Sequence, residues 1–323
     1  MISGTGPIHG QQRVVAFVWG GLGNMVMALP MLAALRNTTT LAVVAQTGAM
    51  LELVDDGAFT AAIALDERRF KGLPGAIRLF RRLRTFRADV AISSIPAPRR
   101  HHLLARAAGA KRTLIPGPGQ AKHLVYRNLA QLGQIGIDRC EPDHSLLHRE
   151  DAAPMLRSLG IAGNEGIIGI FMGAGHAMRQ WPRDRFEAVA DKLSGQNPVI
   201  VFTGPDETSV ERMSGRMHVF NGPLRQKLGL LAACRLFIGA NTGLTHCAAA
   251  LGVPTLELSG PTDPAVYGAL GNSVAVVQGG APCAPCYRSG NRYGCKTRGP
   301  DCMGAITVDH VLREAERMLA GRP

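Results

Sequence analysis

The sequence predicts an α/β protein made of two doubly wound, parallel-sheet domains. Three observations carry that expectation. Short apolar runs of strand length alternate with longer stretches of helical periodicity along nearly the whole chain. Gly-rich turns follow several of the strands, at Gly20–Asn24, Gly173–Gly175 and Gly239–Gly243. A chain of 323 residues is also too long for one small core and suits two domains of about 150 residues each. Strands that alternate with helices pair in parallel, with helices covering both faces of the sheet.

The first half opens with the strand RVVAFVW from Arg13, the turn GGLGN, and the buried helix MVMALPMLAALR, which Pro30 should kink or re-cap. TTTLAVVAQ reads as a strand, MLELVDDG as a helix and AAIALD as a strand. GAIRLFRRLRTFR is a helix whose Ile77, Phe80 and Leu83 share one face while the arginines take the other. ADVAISS is a strand, RRHHLLARAAGAKR a basic helix, and HLVYRNLAQLGQIGI a helix from about His123 to Gly133. Residues 138–166 are mixed, carry Pro142 and Pro154 and hold one short helix. The expected domains are therefore 1–155 and 156–323, with the terminal helix a candidate to pack back on the first.

The second half restarts with GIIGIFMGAG as strand and turn. WPRDRFEAVADKLSG is a helix with Pro182 near its first turn and Phe186, Val189, Ala190 and Leu193 facing inward. PVIVFTG is a strand, GLLAACR a helix, LFIGA a strand, TGLTHCAAALG a helix closed by Gly252, and VPTLEL a strand. TVDHVLREAERMLAG is the terminal helix. Doubly wound sheets bind ligands outside the carboxyl ends of their strands. Two such domains facing a central cleft would suit a donor held by one half and an acceptor held by the other.

Net charge is +12, and all of it lies between Arg68 and Arg112. That window holds 13 cations, among them Arg68, Arg69, Lys71, Arg99 and Arg100, against the single acid Asp89. A field so local attracts a phosphorylated substrate, anionic lipid or nucleic acid; a solvated helix face is the alternative. The window lacks the aromatic spacing that single-strand recognition needs, so no specific nucleic-acid partner is expected. No run approaches the ~20 apolar residues of a membrane span, and the first residues lack the pattern of a secretory signal. A soluble, cytosolic protein is expected.

The chemistry concentrates at the strand ends of the second half. Asn241-Thr242-Gly243 opens a helix just past a strand. Asn241 or Thr242 can cap it, and Gly243 lets a ligand approach the backbone, so the helix end suits a phosphate. A plain N-cap is the alternative. Similar polar turns close neighbouring strands: FMGAGHAMRQWP with Gly173 and Arg179, FTGPDE with Glu207, and SGPTDP with Asp263.

In order, GGLGNMVMALPMLAALR, HLVYRNLAQLGQIGI, GAGHAMRQWPRDRFEAVADKL, FTGPDE and GANTGLTHCAAALGVPTLELSGPTDP resemble glycosyltransferase family nine, the ADP-heptose:lipopolysaccharide heptosyltransferases. The resemblance runs from about residue 13 to 320 and is tightest in the second half. It implies a GT-B fold, a nucleotide-diphospho-sugar donor (usually ADP-heptose) on the second domain, and a lipid-linked acceptor on the first. It further implies inverting transfer without a catalytic metal or other cofactor, at the inner-membrane surface. Carried over, Thr242, Gly243 and Leu244 offer N–H groups to the diphosphate, Glu207 sits near the ribose, and Arg179 neutralises the leaving group. Trp181 and Pro182 shape the site, and His246, one turn after Thr242, either faces the ligand or is structural. Arginines of the 68–112 window would meet the acceptor, an anionic glycolipid or glycan, and the membrane.

Two positions depart from the family pattern. The family's first turn usually reads Gly-Asp, and that aspartate is the implied general base; here it is Gly23-Asn24. An amide cannot take the acceptor proton at neutral pH. Either another group supplies the base, or Asn24 only orients the acceptor while the departing phosphate oxygen takes the proton, or the protein binds a nucleotide sugar without transferring it. Asn241 also replaces a common aspartate. Finally, Cys283, Cys286, Cys295 and Cys302 form C-x2-C-x8-C-x6-C. That spacing fits a structural zinc or iron site, with free thiols and two disulfides as rivals. Cys140, Cys234 and Cys247 read as small buried residues.

Overall fold

The computed structural model describes residues 12–96, 99–117, 122–138, 140–162, 166–204, 216–288, 292–295, 299 and 301–321. Glu207 lies outside these residues, and so does the side chain of Arg99. The chain divides into two compact units, Met1–Leu146 and Leu147–Pro323.

The first unit contains β1 (Arg13–Val18), α1 (Leu22–Thr38), β2 (Thr40–Ala45), α2 (Gly48–Leu51), β3 (Ala61–Ala64) and α3 (Gly72–Arg84), then β4 (Val90–Ser93), α4 (Arg99–Ala107), β5 (Arg112–Leu114) and α5 (Leu124–Ala130). Its five strands are all parallel, in the order β3-β2-β1-β4-β5. The chain winds from β1 to one edge and then returns to β4 on the other side. The direction therefore switches between β1 and β4, which is where such sheets open a crevice at their carboxyl ends. Strands β1 and β2 are apolar on both faces because helices cover both, and only Arg13 and Thr40, their first residues, escape full burial.

The helix α1 runs unbroken through Pro30, so the proline does not re-cap it. Proline inside a helix costs roughly 3 kcal/mol. Burial of Met25 to Ala33 and of Leu35 on all sides offsets that cost. The expected helix from His123 stops at Ala130 and tightens into a 3₁₀ turn, Gln131–Ile135, before left-handed Gly136. Helix α3 departs from its expected facing: Leu83 is buried, but Ile77 and Phe80 are exposed. Its inner side is narrow, because Gly75 packs directly on the Phe70 backbone.

The second unit contains α6 (Ala153–Ser158), β6 (Ile168–Phe171), α7 (Arg183–Ser194), β7 (Val199–Phe202), β8 (Met217–Phe220), α8 (Leu224–Ala232), β9 (Leu236–Ala240) and α9 (Gly243–Ala250). It continues with β10 (Thr255–Ser259), α10 (Pro264–Tyr267), β11 (Val274–Gln278), the small hairpin β12 (Tyr287–Arg288) and β13 (Arg292–Tyr293), α11 (Asp301–Gly304) and α12 (Val308–Ala320). Its six parallel strands take the order β11-β10-β9-β6-β7-β8, so the switch falls between β6 and β9. The core joins Phe186, Val189 and Leu193 of α7 to the sheet and to Val311 and Ala315 of α12. Helix α12 packs on α7, β9 and β11 of its own unit. No described helix is long and apolar enough to cross a membrane.

Candidate nucleotide-sugar site

The switch point of the second unit brings together the turns after β6 and β9. Thr242 is extended and precedes α9, but its side chain does not cap the helix. Its hydroxyl instead meets that of Thr245 at 3.2 Å, and Thr245 donates to the Ala240 carbonyl. The opening N–H groups of α9, from Gly243 and Leu244, are thus left without a side-chain cap at the positive end of the helix dipole.

Asn241 does not cap either. Its amide nitrogen donates to Glu257 Oε1 at 2.9 Å and to the Tyr267 carbonyl at 2.9 Å, and the residue is buried. Glu257 lies at the centre of β10 with no exposed surface, and its other oxygen accepts from the Ala269 N–H at 2.6 Å. Burial pushes this carboxyl's pKa up, against the pull of the two hydrogen bonds. An aspartate at 241 would set two carboxylates against each other here. Asparagine is what lets one buried acid stay at this place.

Arg179 ends the 3₁₀ turn Ala177–Arg179 after β6, which the His176 ring caps by accepting from the Met178 N–H. The Arg179 Nη1 donates to the Asn241 carbonyl at 3.2 Å, fixing the guanidinium beside the start of α9. Its Nε is buried without a partner. Tyr293, from the hairpin, stacks on His176 with ring centres 4.5 Å apart, and its buried hydroxyl also lacks a hydrogen-bond partner. Burial raises the pKa of that phenol, while nearby Arg179 draws it down. The two side chains are close neighbours. Thr203 Oγ1, just past β7, and Thr262 Oγ1, past β10, are likewise buried and unpartnered. All four unpartnered side-chain atoms of this unit, among the described residues, therefore gather at or beside the carboxyl edge of its sheet. Such atoms cost free energy unless something absent from the protein satisfies them.

Gly173 is buried in the turn after β6. His246 is buried on α9, and Trp181 is fully buried and donates to the Ile306 carbonyl at 3.0 Å, a structural bond. Lys227 is buried and donates to the Thr203 carbonyl at 2.7 Å. Asp263 caps α10 by accepting from Ala265 N–H at 3.0 Å. Sequence reasoning missed Glu257, Lys227 and Tyr293. Glu257 had a signal, a lone acid inside an apolar strand, whereas Tyr293 had none.

In the first unit the β1–α1 turn is tied down internally. Asn24 Nδ2 donates to the Trp19 carbonyl at 3.0 Å, and the Gly20 N–H donates to Gln46 Oε1 at 2.9 Å. Gly20 has φ +97, and a Cβ there would collide with the Asn24 amide, so glycine is required. Trp19 sits under the Arg100 guanidinium at 4.8 Å and beside His101, whose two ring nitrogens have no partner among the described residues. Burial and the neighbouring His102 push the His101 pKa down to about 4, so it is neutral at pH 7. Arg68, Arg69 and Lys71 lie on the exposed turn leading into α3, with Arg69 paired to Glu67 at 2.6 Å.

The four clustered cysteines do not assemble as the spacing suggested: among the described residues no three His, Cys, Asp or Glu side chains form a group that could hold a metal. Cys302 is drawn into the core under Gly260, beside Met303. Cys283 and Cys295 are half-buried, and the Cys295 thiol meets the Gly299 carbonyl. Burial, with the thiols nearby, still pushes the pKa of Cys286 up. All seven cysteines are free thiols. Cys234 and Cys247 are buried, with pKa pushed up to about 12, whereas Cys140 is half-exposed, contrary to expectation.

A doubly wound second unit, with an uncapped helix start and an arginine at its switch point, is an α/β architecture that opens a crevice at the carboxyl edge of its sheet, and similarity to solved structures gives the fold as GT-B. A glycosyltransferase family 9 protein from Veillonella parvula superposes with a TM-score of 0.75 at 21% identity, covering 96% of this chain and 98% of that one. Escherichia coli ADP-heptose lps heptosyltransferase II gives 0.70 at 19%, covering 96% and 99%. The iron-containing dodecameric glycosyltransferase TibC of enterotoxigenic E. coli gives 0.60 at 15%, covering 95% and 76%. The profile of glycosyltransferase family 9 (heptosyltransferase) matches residues 111–297, and the chain belongs to that family. Lipopolysaccharide heptosyltransferase 1 of Pseudomonas aeruginosa is 28% identical over 218 residues, 62% of this chain and 56% of its own. Lipopolysaccharide heptosyltransferase 3 of E. coli K12 is 30% identical over 159 residues, 45% and 46% respectively. The matched stretch thus spans about half the length of these curated relatives.

Proposed function

We propose that the protein is an inverting glycosyltransferase that moves a heptose from ADP-heptose to an anionic glycan of the lipopolysaccharide type, at the inner-membrane surface. In this reading the second unit holds the donor and the first the acceptor. The observation that carries it is the set of unsatisfied donors around the start of α9: the uncapped N–H groups of Gly243 and Leu244, Arg179 Nε and the Tyr293 hydroxyl. A diphosphate is dianionic, acceptor-rich and of a size to satisfy them together. ADP as the nucleotide and heptose as the sugar rest on the family and on its named members.

The reaction forms a bond from the acceptor oxygen to the anomeric carbon and breaks the bond from that carbon to the β-phosphate oxygen, whose electron pair leaves with ADP. Arg179 and the helix dipole carry the charge that develops there, so no metal enters this chemistry. With Asn24 bound to the Trp19 carbonyl, Asn24 serves orientation; inverting attack comes from the face opposite the departing phosphate, so the acceptor proton leaves to water on the acceptor side. Because the Asn24 amide is engaged, a second reading has independent support: a family member that binds the donor and transfers slowly or not at all. TibC is described as iron-containing, and elemental analysis of the purified protein for zinc and iron reads the cysteine segment directly.

Thermal shift with ADP-, UDP-, GDP- and CDP-sugars tests the donor. Stabilisation by ADP-heptose above the others supports the reading, and equal indifference to all four sinks it. Transfer to a lipopolysaccharide core acceptor then separates the two versions. Asn24→Asp should preserve or raise transfer; a loss beyond about 10²-fold would show that the amide itself is required.

A further inference from the structure

Helix α3 carries its apolar ridge outward. Leu73, Ile77 and Phe80 are 78%, 48% and 37% exposed, and their i, i+4, i+7 spacing puts them on one face. Leu103, on the adjoining α4, is 56% exposed. Where α3 packs on α4, a groove of about 590 Å³ is lined by this ridge together with Arg81, Arg84 and Arg106. A second hollow of the same volume continues from Arg81 and Arg84 to Arg87 and Lys111. Its one carboxylate, Asp89, already accepts from the Arg13 N–H at 2.9 Å.

We propose that this face docks the protein on an anionic lipid bilayer, with Leu73, Ile77 and Phe80 seated among the acyl chains and Arg81, Arg84 and Arg106 on the headgroup phosphates. Exposed aliphatic side chains ringed by cations on a short surface helix are what an interfacial anchor needs: apolar contact below, charge at headgroup level. A polynucleotide would reward the arginines but not Leu73 or Ile77. A second copy of the chain would bring the same excess of positive charge against itself. The inference gives the membrane association of the proposed function a defined surface, and it stands independently of sugar transfer.

The test is co-sedimentation of the full chain with vesicles of phosphatidylcholine alone or with phosphatidylglycerol added. Binding should require phosphatidylglycerol and fall steeply with salt. I77S/F80S and R81S/R84S should each weaken it by about tenfold or more, since each removes one of the two contributions. These positions are exposed, and an unfolding midpoint like the parent's verifies that the variants are folded. Variants that sediment like the parent, or a parent that ignores vesicle charge, would overturn the proposal. So would a dimer in sedimentation equilibrium that I77S/F80S dissolves, or duplex DNA bound equally by parent and I77S/F80S in place of vesicles. If the parent binds vesicles but no sugar nucleotide shifts its melting, the donor reading fails and the docking surface stands.

Discussion

The two sheets share a winding scheme, and each leaves buried polar atoms open. The first ties down the backbone of its switch-point turn and keeps its open atoms on the Trp19 and His101 rings and the Gln131 amide, whereas the second leaves its helix start uncapped. In the first unit the turn after β1 is closed by its own groups: Asn24 on the Trp19 carbonyl, Gln46 on the Gly20 N–H, Ser94 on the Trp19 N–H at 3.3 Å. Its cations stand further out, at Arg100 over Trp19 and along α3. In the second unit the turns after β6, β7 and β10 and the hairpin leave buried polar atoms open, around a helix start that nothing caps. The difference is one of preorganisation. One edge holds fixed, unsatisfied donors, while the other carries its charge on exposed side chains.

The contrast can be broken most severely at Asn241. Asn241→Asp places a second carboxylate against buried Glu257 and should cost about 3–5 kcal/mol in urea unfolding. Adding Glu257→Gln should restore most of it, since one acid and one amide again face each other. If N241D alone is as stable as the parent, the buried pair does not hold the turn.

Next is the first unit's core. His101 has a folded pKa of about 4 against an ordinary 6.5, so the unfolded chain takes up a proton first. Its contribution to stability is complete above pH 6.5 and declines as the pH falls, by up to about 3 kcal/mol near pH 4. His101→Phe should flatten that part of the pH–stability curve, and an unchanged slope would show that His101 is not its source.

At the carboxyl edge of the second sheet, Arg179→Ala should weaken ADP binding by about 10–100-fold in calorimetry if the proposed donor site is right, as expected for a charge-assisted bond of about 1.5–3 kcal/mol. Tyr293→Phe removes one neutral hydroxyl and should cost about 3–10-fold, with folding intact. Equal affinity in both variants would mean that the unsatisfied atoms of the second unit do not mark the ligand.

Much of this could be read in the chain itself. Alternating apolar runs and Gly-rich turns announced the two sheets, and Asn241-Thr242-Gly243 with Arg179 pointed to the carboxyl edge of the second sheet, where the unsatisfied groups lie. Strand β8 and strand β11 went unread because β8 is four residues long and half-exposed and VAVVQ lies among loop residues. Helical periodicity did predict the helix at α3, but not that Leu83 alone of its apolar ridge is buried while Ile77 and Phe80 stay outside. Periodicity gives the angle between side chains and leaves open which direction is the core.

What the sequence by itself determined was local: where strands and helices lie, where backbone N–H groups collect, and where charge is concentrated, since all three follow from neighbours within a few residues. Only the tertiary structure decided which groups are consumed and which remain available. It turned Asn241 inward to an acid 16 positions away, set Tyr293 beside Arg179, drew Cys302 into the core and left Ile77 and Phe80 outside. Such choices depend on which distant surfaces meet, because hydrogen bonds and burial are settled by proximity in space, and spacing along the chain carries no record of it.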